Sequence, residues 1–171
     1  MSPAPTMAAL NAFWCSVGSS VFTPDSDAHP GCELCDAGGG EVLAQTGPLR
    51  IVLVDEPNYP GFCRVVWTEH VREMTDLAPS QRSAFMQAVC QTEELVRQVM
   101  APYKINLASL GNQTPHLHWH VIPRYEDDAH FPTPVWATAV RVTPSPTLDE
   151  RRARLPALRS AFQHYFANLQ R

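Results

Sequence analysis

The run Pro115–Pro123, in which histidine alternates with apolar residues, constrains this chain more than any other feature of its sequence. Successive side chains of an extended strand point to opposite faces of the sheet, so three imidazoles share one face and three apolar side chains share the other. A helix would place alternate positions about 200° apart and scatter the rings. The histidines are His116, His118 and His120. We predict a strand over 117–122 with a functional site on one face and a core on the other.

A strand face that carries three imidazoles suits two kinds of chemistry. Neutral imidazole is a common metal ligand. Alternatively, one imidazole acts as a nucleophile while its neighbours donate hydrogen bonds to a charged leaving group. A single histidine in a strand is more often a surface or hydrogen-bonded residue, but three in alternation with strand-forming residues, in mid-chain, favour a functional site.

Composition restricts the class of protein and of partner. The chain has 171 residues, which is enough for one domain with a sizeable core. Its net charge is -4 and its Lys and Arg total only 13, so we expect no nucleic-acid surface, which would need a basic patch. The segment Met1–Met7 has no basic residue and leads to no signal-peptide-like apolar run, and no apolar stretch reaches about 18 residues. We therefore expect a soluble, cytoplasmic protein that does not bind membranes.

The five cysteines are an odd number, typical of thiols or metal ligands in a reducing compartment rather than of a disulfide framework. Cys32 and Cys35 stand in a Cys-Glu-Leu-Cys sequence, a spacing that lets two thiolates bind one tetrahedral metal, usually zinc. A single pair is half a site, and two incidental thiols in a loop remain the alternative. The glycines at 38–40 indicate a hinge and not a phosphate loop, because neither a helix nor a lysine follows them.

The spacing of apolar and turn-forming residues predicts an α+β fold. Four further strands are predicted besides the histidine strand, at 41–45, 49–54, 62–67 and 103–110. Apolar residues at helical spacing predict a helix from about Pro79 to Met100. The segment 124–128 is expected to be a polar exit from the histidine strand.

Both ends of the chain are expected to lie outside the main domain, which we place at 31–142. Residues 1–30 form an N-terminal extension that is partly irregular. The sequence Thr147–Glu150 is typical of a capping box. We therefore predict a C-terminal amphipathic helix within 143–171, with a kink at Pro156.

The sequence His-Leu-His-Trp-His-Val-Ile over 116–122 resembles the His-φ-His-φ-His-φ-φ signature of the histidine triad (HIT) family, where φ is apolar. The order of the preceding features is also similar to that family: a strand ending in Asp55, a Pro-Gly loop, a strand ending near His70, a helix and a strand containing Asn106. The similarity covers roughly residues 32–136. It implies a HIT-like fold with an antiparallel sheet of about five strands and two main helices, and a homodimer.

The resemblance also implies an enzyme, a nucleotide hydrolase or nucleotidyltransferase. Such an enzyme attacks the α-phosphate of a nucleotide through a covalent nucleotidyl-histidine and releases a nucleoside monophosphate. By position, His118 matches the nucleophile, and His120 would hydrogen-bond the phosphate and the leaving group. A neutral imidazole is a competent nucleophile at pH 7. The purine base expected for the substrate comes from the family alone.

Several binding residues follow from the same resemblance. Asp55 matches an acidic residue that binds ribose hydroxyls, and Asn106 matches an Asn near the phosphates. Relatives commonly carry Gly-Gln before the triad where this chain has Gly-Asn-Gln, so Asn112 and Gln113 are both candidates for phosphate binding. Phe62 occupies a place where His is frequent, and Phe cannot donate a hydrogen bond.

Zinc-containing relatives join a Cys-x-x-Cys pair to a histidine after the third strand and to the first triad histidine. The matching residues here are Cys32, Cys35, His70 and His116. Four protein ligands close a tetrahedron, so the implied zinc is structural. The alternative is that His116 donates a hydrogen bond and the cysteines are free thiols.

Three other functions remain to be separated from this one. A domain of this kind can bind a nucleotide as a non-catalytic sensor module with a structural zinc. The histidines and cysteines can also belong to a simple metal-binding protein. Transfer of nucleotidyl groups between sugar phosphates is disfavoured, because those relatives carry Gln where this chain has His120.

Overall fold

A five-stranded antiparallel sheet in the order β1-β2-β3-β5-β4 forms the centre of the computed structural model, which describes residues 29–169. The strands are β1 Glu41–Thr46, β2 Leu49–Leu53, β3 Cys63–Trp67, β4 Lys104–Ala108 and β5 His118–Arg124. The predicted α+β class and five-stranded sheet are confirmed. Residues 1–28 of the predicted N-terminal extension lie outside the residues that the structure describes.

The helices of the described residues are α1 Glu33–Asp36, α2 Pro79–Met100, α3 Ser145–Arg152 and α4 Leu155–Leu169. Helix α2 begins where the sequence predicts, with Pro79 in its first turn, and the Gln81 side chain accepts the Ala78 backbone N–H at 2.8 Å. Between residues 29 and 169, no helix combines the length and the apolar character needed to span a membrane.

The prediction of one kinked C-terminal helix was wrong. The chain breaks between α3 and α4, and Pro156 lies in the first turn of α4, where a missing backbone N–H leaves no helical hydrogen bond unmade. Helix α3 begins at Ser145, after Pro144, and not at a cap formed by Thr147. Two prolines near the start of α3 therefore set its first turn.

The two faces of the sheet are covered differently. On one face, side chains such as Val65 and Val121 pack against Phe85 of α2 and Phe162 of α4 in the main core. Leu117 is buried and Trp119 partly buried in the same core, so the predicted alternation along this strand is confirmed. The other face carries two smaller apolar clusters, and the histidines of β5 lie on it.

The register of the central strands decides which residues surround the histidines. β5 begins at His118 and ends at Arg124, later than predicted, so that His116 precedes the strand. His118 pairs with Val66 of β3, and His120 pairs with Arg64 of β3 and Ala108 of β4. Directly paired residues share a face of the sheet.

Candidate active site and metal centre

His118 and His120 form a closely spaced pair of imidazoles, and each residue is only 6% exposed. Their Nε2 atoms are 3.1 Å apart, and the His118 Nδ1 atom lies 2.6 Å from the backbone oxygen of His116. A carbonyl oxygen only accepts hydrogen bonds, so the neutral His118 ring carries its proton on Nδ1 and a lone pair on Nε2. The 3.1 Å contact then requires His120 to donate through Nε2–H. The pair therefore presents an oriented, unprotonated nitrogen on His118.

Burial keeps both imidazoles neutral. It lowers the pKa of His118 below the ordinary value of 6.5; the bond to the His116 carbonyl opposes this effect, and the charge of Arg64 adds to it. Burial, followed by repulsion from His118 and Arg64, lowers the pKa of His120 to about 3. Both side chains are therefore uncharged at pH 7, the state in which His118 is a nucleophile.

Aromatic rings enclose His120 on two sides. The ring of Phe62 lies 5.5 Å from the imidazole and the ring of Trp136 lies 5.1 Å from it, measured between centroids. Trp136 is 51% exposed, so it stands at the boundary between the histidine pair and solvent. The Nδ1 atom of His120 is buried and forms no hydrogen bond with any part of residues 29–169.

The loop that carries Trp136 is anchored by a buried ion pair between Arg124 and Asp128, which are 2% and 0% exposed. Two hydrogen bonds of 2.7 and 3.1 Å join the guanidinium to the carboxylate. Burial raises the pKa of Asp128, but the bonds from Arg124 and from backbone N–H groups outweigh it and hold the pKa below its usual range. The chain leaves the histidine strand through the predicted polar segment 124–128, in which Glu126 and Asp127 are exposed. The charges at its two ends are buried because they are partners of each other.

The predicted metal ligands meet in one place. One ligand atom from each of Cys32, Cys35, His70 and His116 lies within 4.8 Å of every other. The Nδ1 atom of His116 is 3.5 Å from the Cys32 sulfur and 3.4 Å from the Cys35 sulfur, and His70 Nδ1 is 3.3 Å from the Cys35 sulfur. Nitrogen and sulfur ligands on a tetrahedral zinc lie about 3.6 Å apart. The cluster could hold a metal ion.

The protonation of His116 fits a ligand role. Its Nε2–H donates to the backbone oxygen of Trp67 at 2.6 Å, which leaves the Nδ1 lone pair directed toward the two sulfurs. Burial lowers the pKa of His116 to about 4, so the ring is neutral at pH 7. Burial raises the pKa of the Cys35 thiol. A bound cation would favour the thiolate form that metal ligation requires.

A model of the HIT domain family matches residues 40–127, just over half of the chain. The chain belongs to the HIT family. The predicted family and fold are confirmed, since solved HIT structures share the arrangement described above. A histidine triad protein from Bradyrhizobium japonicum aligns with a TM-score of 0.60 and 23% identity over 74% of this chain and 90% of that one. One from Marinobacter aquaeolei aligns with a TM-score of 0.58 and 25% identity over 74% and 93%.

Among curated HIT relatives, an AP-4-A phosphorylase from Mycobacterium tuberculosis is 29% identical over 119 residues. The match covers 66% of this chain and 60% of that protein. This HIT protein thus spans about three fifths of the length of that relative.

The predicted nucleotide-binding residues of the HIT site do not all lie together. Asn106 pairs with Ile122, on the histidine face, but its carboxamide oxygen accepts a hydrogen bond of 2.5 Å from Arg124. Asn112 and Gln113 are exposed in the turn before His116. Within residues 29–169 no hydrogen bond joins these three side chains to the histidine pair. Their roles in nucleotide binding stay predictions.

Asp55, the fourth predicted binding residue, is exposed at the end of β2. It lines a groove of about 350 Å³ together with Glu41, Arg152 and Arg159. Arg159 forms two hydrogen bonds of 2.7 Å with Glu41, which connects α4 to β1. The C-terminal helices thus form one wall of the groove that holds the predicted ribose-binding residue.

The sequence patterns gave no sign that Arg64 and Trp136 are neighbours of His120. Arg64 lies in the apolar run of β3, where it was counted only as part of a strand. A charged residue inside an otherwise apolar strand was the available signal, because such a residue faces either solvent or a polar site. Trp136 stands in a loop rich in Pro and aromatic residues, and the structure places it against His120.

Proposed function

We propose that this HIT protein is a nucleotide hydrolase or nucleotidyltransferase that acts at an α-phosphate through a covalent nucleotidyl-histidine on His118 and releases a nucleoside monophosphate. The observation that carries this proposal is the oriented lone pair of His118 Nε2, 3.1 Å from the Nε2–H of His120. A nucleophile next to a hydrogen-bond donor, enclosed by apolar rings, suits displacement at phosphorus.

In the proposed first step, the His118 Nε2 lone pair attacks the α-phosphorus and a P–N bond forms. The bond from phosphorus to the leaving group breaks, and the leaving group departs with the electron pair. The Nε2–H of His120 is released from His118 when that nitrogen binds phosphorus, and it donates a hydrogen bond to the phosphoryl or departing oxygen. With a phosphoramidate, His120 transfers this proton to the departing nitrogen, which leaves as a neutral amine, and a proton from the water of the second step restores it. The bond from His118 Nδ1–H to the His116 carbonyl stabilises the positive charge that develops on the ring.

In the second step, a water molecule attacks the same phosphorus and loses one proton, to solvent or, after cleavage of a phosphoramidate, to His120. The P–N bond breaks, its electrons return to His118 Nε2, and the nucleoside monophosphate leaves. A phosphate or alcohol acceptor in place of water would give transfer rather than hydrolysis. Similarity to the relative named AP-4-A phosphorylase supports a dinucleoside polyphosphate as one candidate substrate, alongside nucleoside phosphoramidates.

We also propose that Cys32, Cys35, His70 and His116 hold a structural zinc. When bound, the metal supplies a crosslink between the segment at α1, the end of β3 and the start of β5. It takes no part in the reaction, but it fixes His116, whose carbonyl oxygen orients His118. A cytoplasmic homodimer is proposed on the family resemblance and the composition.

The proposal is tested by the intact mass of the protein after brief incubation with adenosine phosphoramidate or diadenosine tetraphosphate, with AMP release followed in parallel. Wild type is expected to gain a nucleotidyl group and release AMP, and His118→Ala is expected to do neither. If both proteins bind the nucleotide and neither turns it over, the catalytic proposal is wrong and the non-catalytic sensor module replaces it.

A further inference from the structure

We propose that Arg64 is a further catalytic residue of this site, whose guanidinium binds the phosphoryl oxygens of the nucleotide beside His118 and His120. The inference rests on the proposed function for its role in turnover. Its role in phosphate binding can be tested without turnover.

The position of Arg64 places it at the histidine pair. It is directly opposite His120 in the antiparallel pairing of β3 and β5, and such partners have Cβ atoms about 4.5–5.5 Å apart on the same face. Its side chain is 21% exposed, so it can meet a ligand that enters from solvent. Its charge acts on the neighbouring imidazole, since it contributes to the lowered pKa of His120.

The guanidinium of Arg64 is only weakly engaged by the protein. Its Nη1 donates to the Gly39 oxygen at the long distance of 3.4 Å and lies 4.0 Å from the exposed carboxylate of Glu33. Its Nε atom is buried and has no hydrogen-bond partner within residues 29–169. By contrast, Arg124 uses its donors on Asp128, Asn106 and a backbone oxygen. A guanidinium has five N–H donors, so Arg64 retains donors for a ligand.

A second buried polar atom without a hydrogen-bond partner among the described residues belongs to the residue that pairs with Arg64. The Nδ1 atom of His120, on the residue paired with Arg64, is also buried without a partner in the described chain. Most buried polar atoms are hydrogen-bonded, and a ligand, an ordered water or a catalytic role is among the explanations for an exception. The Arg64 Nε carries a hydrogen that a phosphoryl oxygen can accept. The His120 Nδ1 carries a lone pair in the tautomer described above, so it can accept a hydrogen bond from a ligand hydroxyl or from water.

A site that binds an anionic phosphate needs a positively charged side chain, and Arg64 is such a side chain. The His120 imidazole is neutral at pH 7, since its pKa is about 3, whereas an α-phosphate is anionic and its transition state spreads negative charge over the equatorial oxygens. The charge of Arg124 is neutralised by its contact with Asp128. Arg64 offers a planar fork of donors that matches two phosphoryl oxygens. It therefore supplies the positive charge that the neutral His120 lacks.

The test compares the affinities of AMP and adenosine for wild type, Arg64→Gln and Arg64→Lys, with Arg97→Gln as the matched control on the exposed surface of α2. Arg64→Gln is expected to weaken AMP binding by about 10-fold or more and to leave adenosine binding unchanged, because only AMP carries the phosphate. Arg64→Lys keeps the charge but loses the planar fork of donors. Its affinity for AMP should therefore lie between those of wild type and Arg64→Gln. Arg97→Gln should change neither affinity.

Turnover gives a second readout. Loss of one preorganised donor to a transition state costs about 10²–10³ in kcat, and we expect a decrease of that size for Arg64→Gln with an unchanged melting temperature. If the Gln variant fails to fold, the Lys variant carries the test, and a selective loss of AMP affinity in it supports the proposal.

Equal losses of AMP and adenosine affinity in Arg64→Gln, or no loss of either affinity, would overturn the assignment of Arg64. If wild type releases AMP and Arg64→Gln does so equally fast with unchanged AMP affinity, Arg64 is not catalytic and the proposed function stands. If AMP affinity depends selectively on Arg64 while wild type releases no AMP, the phosphate contact stands and the proposed function fails. Absence of AMP binding to wild type overturns both.

Discussion

The Nε2 atoms of His118 and His120 lie 3.1 Å apart, and the bond from His118 Nδ1 to the His116 carbonyl allows only one arrangement of protons in the neutral pair. In that arrangement His118 Nε2 carries a lone pair, and His120 Nε2 carries the proton that it donates to this lone pair. The two histidines therefore have different roles although their side chains are identical. This asymmetry arises from one backbone oxygen.

Replacement of His120, the hydrogen-bond donor of the pair, should slow the reaction, because the nucleophile His118 remains. His120→Asn is expected to lower kcat by about 10²–10³, because the N–H that faces the phosphoryl or leaving-group oxygen is lost. Single-turnover measurement of the nucleotidyl-protein checks this, with His164→Asn on the exposed surface of α4 as the control. Formation of the adduct at the wild-type rate in His120→Asn would show that this N–H is not needed.

The buried, neutral His120 should also make stability depend on pH. Its pKa is about 3 in the folded protein and near the ordinary 6.5 when unfolded, so between these values the unfolded chain binds the extra proton. Folding stability is therefore fully present above pH 6.5 and decreases as the pH falls toward 3. From pH 6 to pH 5, wild type should lose about 1 kcal/mol more free energy of unfolding than His120→Asn. Urea unfolding at the two pH values measures the difference, and equal losses would contradict a depressed pKa.

Removal of the proposed zinc should destabilise the protein and misplace His118. Metal analysis is expected to give about one zinc per chain, and Cys35→Ser or a strong chelator should lower both the melting temperature and the rate of AMP release. Cys90→Ser, on the exposed face of α2, is the matched control and should retain its zinc. A wild-type melting temperature that is insensitive to chelation would argue against a structural metal.

The ion pair that anchors the Trp136 loop should contribute strongly to stability. Asp128→Asn removes the charge opposite the buried Arg124, and uncompensated burial of a partner costs about 3–5 kcal/mol. The exposed pair of Asp149 and Arg152 provides a control, since Asp149→Asn should cost at most about 1 kcal/mol. Urea unfolding measures the loss of free energy of unfolding in each of the two variants. Similar losses would mean that Arg124 finds another partner when Asp128 is replaced.

Trp136, the loop residue that packs against His120, should affect catalysis more than stability. Trp136 is half exposed, so Trp136→Ala should lower the melting temperature only slightly. The same change removes the ring that shields His120 from water, and we expect a lower kcat/KM for AMP release. Trp136→Phe keeps an aromatic ring and should retain most of the activity. Equal activity of the Ala and Phe variants would exclude this role.

Local patterns in the sequence were sufficient for much of the fold. The alternation along 116–122 determined which side chains of β5 share a face, because the two-residue period of a strand is a property of the backbone. Apolar spacing likewise located α2, whose first turn Pro79 suits. The metal ligands and His118 were named through the family resemblance, since no local rule connects the Cys32–Cys35 pair to His116.

The sequence by itself determined the strands, the main helix and the histidine face, because these depend on short-range stereochemistry and the separation of apolar from polar side chains. The tertiary structure alone decided that Arg64 lies opposite His120, because that neighbourhood depends on the register between β3 and β5. It also decided that Arg124 is buried, because Asp128, Asn106 and a loop carbonyl satisfy its charge. Whether a charged side chain faces solvent or a site depends on partners that are distant in sequence, and only the folded chain brings them together.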